Sequence, residues 1–260
     1  MTELAQAAAA AGYRLETFDE IGSTNAVALQ RAAEGETRPT WFVTDRQTAG
    51  RGRRGRSWTS LKGNLFASLL LVDPAPVAHI AELCFVAALA VDDALLAVVP
   101  DAFDQFRLKW PNDGLLGGAK VVGMLVEATT RAATTQVAIG IGVNVAHHPV
   151  DTPYPTTSFA AKGFAVGRDQ LFEALSASMV RALAVWNRGE GFAQIRAGWL
   201  ARAAGLGGPL VIQSDGKRAE GIFTGLDAHG RLILDTPDGR QLITAGEVLL
   251  APEKTVHHHG

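Results

Sequence analysis

Gly50-Arg51-Gly52-Arg53-Arg54-Gly55-Arg56-Ser57-Trp58, followed by the turn-rich Thr59-Ser60-Leu61-Lys62-Gly63-Asn64 and the apolar run Leu65 to Val72, decides the fold class. Its glycines spell G-x-G-x-x-G from Gly50 to Gly55, and Asp73 lies about 20 residues on, as a dinucleotide fingerprint asks. A dinucleotide loop runs straight into a helix. This one runs into turns and then a strand, which excludes a doubly wound nucleotide fold. A kinase is excluded as well, because the chain has neither an H-R-D nor a D-F-G tripeptide to hold base and magnesium. What remains is a glycine-hinged loop carrying Arg51, Arg53, Arg54 and Arg56. Alternate glycines free to take positive φ turn N–H groups inward, and guanidinium forks suit carboxylate or phosphate oxygens. The loop reads as an anion trap with a flat face, Trp58, at its end. A solvated basic run or a sequence-independent nucleic-acid patch is the alternative reading.

The rest of the chain supplies partners for such a trap. Lys109-Trp110-Pro111-Asn112-Asp113 follows a strand-like Gln105 to Leu108, and Pro111 forces the chain out of the strand, placing Asn112 and Asp113 on a loop. A carboxylate and an amide there suit a hydrated magnesium ion or a nucleotide sugar. Gly117-Gly118 then turns into Lys120-Val121-Val122-Gly123-Met124-Leu125-Val126-Glu127. Strand alternation puts Lys120, Val122, Met124 and Val126 on one face, with Lys120 either a functional cation or a snorkelling edge residue. Thr135 to Val145 is β-rich, with Gly140 and Gly142 where a backbone or ligand must come close, and Asn144 is its polar exception. Ser23 or Thr24 reads as the N-cap of an alanine-rich helix from Asn25 to Ala33. Trp110 reads as core. Arg54 and Arg56 read as facing solvent or a partner, since successive side chains of one loop cannot all converge.

Composition narrows less. With 260 residues and 47% hydrophobic content the chain can bury one large and one small core. Its net charge of −2 makes the basic loop a local feature and favours no nucleic acid overall. The single cysteine, Cys84, sits in an apolar helical stretch, which predicts a reducing, cytoplasmic setting and a buried structural thiol. No charge-free run of about 18 apolar residues is present, so no membrane span is expected. Met1 to Gly12 lacks the basic start and apolar middle of a signal peptide. His257 to His259 read as a tail or tag remnant, because zinc ligands need spacing around a fold.

The periodicities predict strands at Tyr13 to Phe18, Trp41 to Thr44 and Leu65 to Val72, and a long helix from Val77 to Val98. A meander follows through Gln105 to Lys109, Lys120 to Ala128 and Thr135 to Val145. Short antiparallel links between strand groups predict an α+β fold with a mixed or antiparallel sheet. Helices are expected at Arg168 to Arg188 and Gly191 to Ala204. Turn signals at Ser214-Asp215-Gly216-Lys217, Ala228-His229-Gly230 and Thr236-Pro237-Asp238-Gly239 then predict a small β-barrel.

Five motifs in order carry a close resemblance to the biotin protein ligases, the biotin–[acetyl-CoA-carboxylase] ligase family. They are Gly22-Ser23-Thr24-Asn25, Gln47 to Trp58, Lys109 to Asp113, Lys120 to Glu127, and Gly140 to Asn144. The resemblance spans nearly the whole chain. It implies a class II synthetase-like catalytic domain over residues 1–205, an SH3-like C-terminal domain over 206–254, and a tail at 255–260. It implies two steps: biotin and Mg-ATP give biotinyl-5′-adenylate, then a lysine of a biotin carboxyl carrier domain takes the biotin and AMP leaves. The first step brings two anions together, so concentrated positive charge is its main requirement.

By similarity, Ser23, Thr24, Gln47, Gly50, Arg51, Arg53, Lys120 and Gly123 hold biotin. Arg51, Trp58, Asn112, Asp113, Lys120 and Asn144 hold the ATP side, with Asp113 on magnesium. Arg53, Lys120 and Lys109 act at the reacting centre. The loop is expected to order when ligand arrives. About a dozen residues precede Tyr13, too few for the winged helix-turn-helix of bifunctional relatives, so no operator DNA is expected. Relatives dimerise through sheet edges, which leaves a homodimer open. Lipoate ligases share the fold and the adenylation chemistry and form the rival reading, with a nucleic-acid binder as the other.

Overall fold

Leu65 to Val72 is apolar at every position but Ser68 because it is covered on both sides, as is its neighbour, which turns Trp41 and Val43 to one core and Phe42 to the other. The computed structural model describes residues 1–131, 133–214 and 217–250. Seven strands, β1 (Arg14–Ile21), β2 (Thr40–Gln47), β3 (Leu65–Val72), β4 (Phe106–Lys109), β5 (Asp113–Leu116), β6 (Ala119–Arg131) and β7 (Thr134–Val143), form one sheet in the order β1-β2-β3-β7-β6-β5-β4. β1 and β2 run parallel and the other neighbours antiparallel, so the sheet is mixed, as expected.

Five α-helices clothe it: α1 (Gln6–Ala10), α2 (Thr24–Ala33), α3 (Leu83–Val98), α4 (Arg168–Trp186) and α5 (Phe192–Ala201). One sheet face, with Trp41, Val43, Leu65, Ala67 and Leu69, packs under α3 and α4. Trp41 meets Phe172 edge-on at 5.5 Å. A fully buried Val or Leu stabilises by roughly 1.5–3 kcal/mol, and this face, with far more buried side chains than the other, carries most of the core. The other face packs Phe42, Leu70 and Ala138 against Ala28 and Ala32 of α2. Because α2 is short and packs mainly on β2, β3 and β7, the sheet beyond it stays open.

Three local expectations change. The helix expected from Val77 begins as a 3-10 turn, Val77–Glu82, and becomes α-helical at Leu83. Asp113 is not on a loop: Pro111 ends β4, but the chain turns straight back and Asp113 opens β5, paired with Lys109. Lys120 does not share a face with Val122 and Met124. Val122 pairs with Gly114 and Lys120 with Leu115, which leaves Val121 as an extra, bulged residue. The bulge turns Lys120 to the side of Gly123 while Val122 and Met124 stay in the core.

The C-terminal strands β8 (Pro209–Ser214), β9 (Lys217–Leu226), β10 (Leu232–Thr236), β11 (Gly239–Ile243) and β12 (Glu247–Leu250) form a separate antiparallel sheet in the order β11-β10-β9-β8-β12, the SH3-like unit. Left-handed Gly230 and Gly239 make two of the expected turns. In the third, Asp215 and Gly216 lie outside the described residues, as does 251–260 with its three histidines. Trp110, buried as expected, fastens the two units: its Nε1–H donates to Gly230 O at 3.1 Å. Leu108 N–H donates to Arg202 O and Ala204 N–H to Leu108 O, so β4 holds the end of α5 as well. No helix among the described residues is long and apolar enough to cross a membrane.

Candidate active site

A cleft of about 1250 Å³ occupies the open part of the sheet, over β5, β6 and β7, and extends to β12. Its floor is glycine. Gly123 and Gly142 sit opposite each other in register, and the indole of Trp58 lies across both: a Cβ would come within 2.5 Å of the ring at Gly123 and 2.7 Å at Gly142. At Gly140 a Cβ would meet Asn25 Oδ1 at 2.6 Å. The glycines read in the sequence as sites of close approach therefore admit two of the chain's own side chains.

The arginine loop is a closed hairpin. Arg51 and Ser57 bridge across it, Gly52 N–H donates to Arg56 O at 2.7 Å, and Trp58 N–H donates to Gly50 O at 2.9 Å. The expected alternation of left-handed glycines is not its geometry. Only Gly55 and its neighbour Arg54 have positive φ, while Gly52 is extended. Gly50 is needed for space, since a Cβ there would lie 2.7 Å from Trp58 O. Arg56 is not directed to solvent alone: it reaches Glu247 of β12.

The cleft has two unlike ends. At the first, Ser23 caps α2, with Ala26 N–H at 3.5 Å. Thr24 donates to Gln47 Oε1 through N–H at 2.9 Å and through Oγ1 at 3.1 Å. All three side chains are uncharged and line the cavity. At the second end, Lys120 Nζ lies 2.6 Å from Asp113 Oδ1, between the rings of Trp58 at 5.6 Å and Tyr154 at 5.4 Å. Arg53 Nη1 donates to Asn112 Oδ1 at 3.2 Å, and Asn112 Nδ2 donates to Met124 O at 2.6 Å. Burial pushes the Arg53 guanidinium and the Lys109 ammonium below their usual ranges. Cations held partly out of water gain strongly from an incoming anion.

Of the residues singled out in the sequence, Ser23, Thr24, Gln47, Arg51, Arg53, Trp58, Lys109, Asn112, Asp113, Lys120 and Gly123 line this one cleft. Gly50 does not; it closes the base of the loop. Asn144 does not either. It is 2% exposed, its Nδ2 donates to Thr157 O at 3.1 Å, and it holds the segment that brings Tyr154 over Lys120. Sequence reading left Asn25, Ser68, Glu127, Tyr154 and Glu247 without a role. Ser68, a lone hydroxyl inside an apolar strand, was the available signal; Asn25 and Glu127 closed two of the quoted motifs.

Residues 18–144 match the Biotin/lipoate A/B protein ligase family and residues 207–250 the Biotin protein ligase C terminal domain. A biotin–[acetyl-CoA-carboxylase] ligase of Paracoccus denitrificans is 43% identical over 87% of this chain and 96% of its own length. The chain belongs to the biotin protein ligase family. A second relative, the biotin–[acetyl-CoA-carboxylase] ligase of Mycobacterium tuberculosis, is 32% identical over 93% of this chain and 91% of its own. Among solved structures, the biotin protein ligase of Aquifex aeolicus in complex with biotin and ATP superposes with a TM-score of 0.76. It is 27% identical, covering 91% of this chain and 97% of that one. The biotin protein ligase fold, a mixed sheet with helices followed by an antiparallel C-terminal sheet, is thus the fold of this molecule.

Proposed function

We propose that this ligase forms biotinyl-5′-adenylate from biotin and ATP and transfers biotin to a lysine of a carrier domain, with its two-ended cleft assigning the parts. The observation that carries the reading is the polarity of that cleft. A neutral hydrogen-bonding end faces a cationic end across a glycine floor, the arrangement a ligand with an uncharged ring head and a carboxylate tail needs when the tail must meet a triphosphate.

Ser23, Thr24 and Gln47 bind the ring head and the start of the tail. Ser23 Oγ keeps its proton for a ligand, and Gln47 Nε2 keeps a second N–H beyond the one given to Ser60 at 3.3 Å. Gly123 lets the tail run flat along β6, and Arg51 with the Gly50 hinge closes over it. At the cationic end Arg53 and Lys120 contact the carboxylate and the reacting phosphate, and Lys109 adds charge from below. There the carboxylate oxygen forms a bond to the α-phosphorus and pyrophosphate leaves, so charge moves to groups these cations face. In the second step the carrier lysine's nitrogen bonds to the acyl carbon as the bond to AMP breaks.

Trp58, Asn112 and Asp113 serve the nucleotide side, and Asn144 acts there only through the segment it anchors. Asp113 Oδ1 is buried without an aligned hydrogen bond, its Lys120 contact being an ion pair. One such carboxylate beside the Asn112 amide fits a hard cation that arrives on the triphosphate and keeps several waters. Among the described residues no cluster of three acidic, histidine or cysteine side chains could cage a metal instead. Magnesium, when bound, neutralises phosphate charge. The partner is a biotin carboxyl carrier domain. The division into residues 1–205 and 206–254, and a cytoplasmic setting in keeping with the lone free thiol of Cys84, belong to the same reading.

Incubation with ATP labelled at the α-phosphate tests it. Biotin-dependent formation of a labelled acyl-adenylate supports the assignment; label that stays in ATP with biotin present overturns it.

A further inference from the structure

The hydroxyls behind the neutral end of the cleft stand between two fixed acceptors. Gln47 Oε1 is one, because the Thr24 N–H donates to it at 2.9 Å. Asn25 Oδ1 is the other. Its amide nitrogen spends both hydrogens, on Glu127 Oε2 at 2.8 Å and on Leu125 O at 3.2 Å, and a carboxylate or carbonyl oxygen gives none back. Arg51 Nη2 lies 3.1 Å from the same Glu127 oxygen as a second donor. The missing side chain at Gly140, whose Cβ would lie 2.6 Å from Asn25 Oδ1, leaves the room for Asn25 to stand there.

Thr24 Oγ1 and Ser68 Oγ carry one proton each, and three contacts ask for them: Thr24 Oγ1 to Gln47 Oε1 at 3.1 Å, Ser68 Oγ to Thr24 Oγ1 at 2.7 Å, and Ser68 Oγ to Asn25 Oδ1 at 2.6 Å. Two protons cannot fill three contacts. If Thr24 gives its proton to Gln47, Ser68 can serve only one of its two neighbours. If Thr24 turns to Ser68 instead, its contact with Gln47 is left lone pair against lone pair. Ser68 is fully buried, and Asn25 and Thr24 are 3% and 4% exposed, so an unfilled contact here is costly. Thr24 and Gln47 line the cleft and Ser68 does not. A ligand that displaces solvent from this end must therefore bring the donor itself or bury the shortage. Ser23 has the opposite need: its Oγ accepts from the Ala26 N–H and keeps a proton to give.

We propose that Asn25 and Ser68, with Glu127 behind them, are positioning residues that leave the ring end one donor short, so that it selects a ring head carrying N–H beside C=O; this rests on the reading of Ser23, Thr24 and Gln47 as ring-binding groups. The cyclic urea of biotin carries that pair. The dithiolane ring of lipoate carries neither group, and a site whose buried polar groups are left unpaired rejects such a ligand by orders of magnitude. Asn25 and Ser68 set this discrimination through Thr24.

Equilibrium binding without ATP, measured by calorimetry on the full chain, tests it with biotin and the two cyclic carbamates in which oxygen replaces one or the other ring N–H. The wild type binds at least one carbamate about tenfold or more weakly than biotin, the effect of setting an oxygen against a buried acceptor. Ser68→Ala leaves one proton for one contact and Asn25→Ala leaves two for two, so each ends the shortage and narrows that gap to about threefold or less. A merely structural role would weaken both ligands alike and leave their ratio where it was. Wild-type protein that binds biotin and both carbamates equally, or a gap that persists in either variant, overturns the proposal. Biotin affinity unchanged in Thr24→Val would instead refute the reading of Thr24 beneath it.

Discussion

Arg56 and Glu247 join the tip of the arginine loop to the last described strand of the C-terminal sheet, with Nη2 to Oε2 at 2.7 Å and Nη1 to Oε1 at 3.2 Å. The two residues are 191 positions apart, so the C-terminal unit forms a wall of the site and is no mere appendage. The Arg56 hydrogen bonds hold the Glu247 carboxyl below its usual range, and Glu247 raises the guanidinium. A carboxylate whose folded pKa is depressed contributes above the ordinary value of about 4.3 and is lost as pH falls through the lower, folded value. The latch should therefore hold through neutral and mildly acid pH and open only below about pH 4. Glu247→Gln should open it at neutral pH. The protection of the loop amides, as exchange relative to the intrinsic rate at each pH, should be as low in Glu247→Gln at pH 7 as in the wild type at acid pH. Its contribution to global stability should be small, because both side chains are partly exposed.

Lys120→Ala and Arg53→Ala should each slow adenylate formation by about a hundredfold or more in protein that remains folded, because each removes charge aimed at the reacting phosphate. Single-turnover kinetics with biotin and labelled ATP separates this from weak binding. Wild-type rates in either variant would mean that the reacting atoms lie elsewhere in the cleft.

Lys109 titrates below the usual lysine range because it is buried. If its charge supports the first step, adenylate formation should fall on the alkaline side at a pH below the ordinary lysine value of about 10.4. The wild-type profile should bend there, and Lys109→Arg, which stays charged, should move the bend upward. Profiles that coincide would remove Lys109 from the reacting centre.

Gly123→Ala places a methyl within 2.5 Å of the Trp58 ring. Overpacking of this kind costs roughly 1–3 kcal/mol, so the urea midpoint should drop and nucleotide affinity should weaken as the indole is displaced. Trp58→Ala in the same background should restore the midpoint but not the affinity, which checks that the clash is the cause.

Burial pushes the Cys84 thiol up to about 12, and its Sγ–H donates to Pro111 O at 3.3 Å. The thiolate is the reactive form, so iodoacetamide should label Cys84 slowly in the native protein and rapidly in denaturant. Mass analysis of the labelled chain reads this directly, and fast native labelling would contradict the packing beneath the Pro111 turn.

Much of the architecture was legible because it rests on local patterns: the two-sided apolar run of β3, the capped alanine-rich α2, and the turns of the C-terminal sheet. The motif residues that gather in the cleft were legible because turns and glycines bracket them. What escaped depends on register or on distant sequence. One bulged residue, Val121, moves Lys120 to the opposite face, and no propensity marks it. Asp113 opens a strand of four residues, too short for a periodicity to register. Glu247 and Tyr154 join the site from segments far along the chain, and Asn144, which lies one residue past the end of β7, satisfies a neighbouring backbone carbonyl instead of a ligand.

A cleft that activates biotin and delivers it to a carrier lysine must leave that carrier heavier by one biotinyl group. Intact-mass analysis of an apo biotin carboxyl carrier domain, incubated with this protein, Mg-ATP and either biotin or lipoate, reads that gain. One biotinyl adduct is expected with biotin and no adduct with lipoate. A lipoyl adduct, or an unmodified carrier under both conditions, would contradict it.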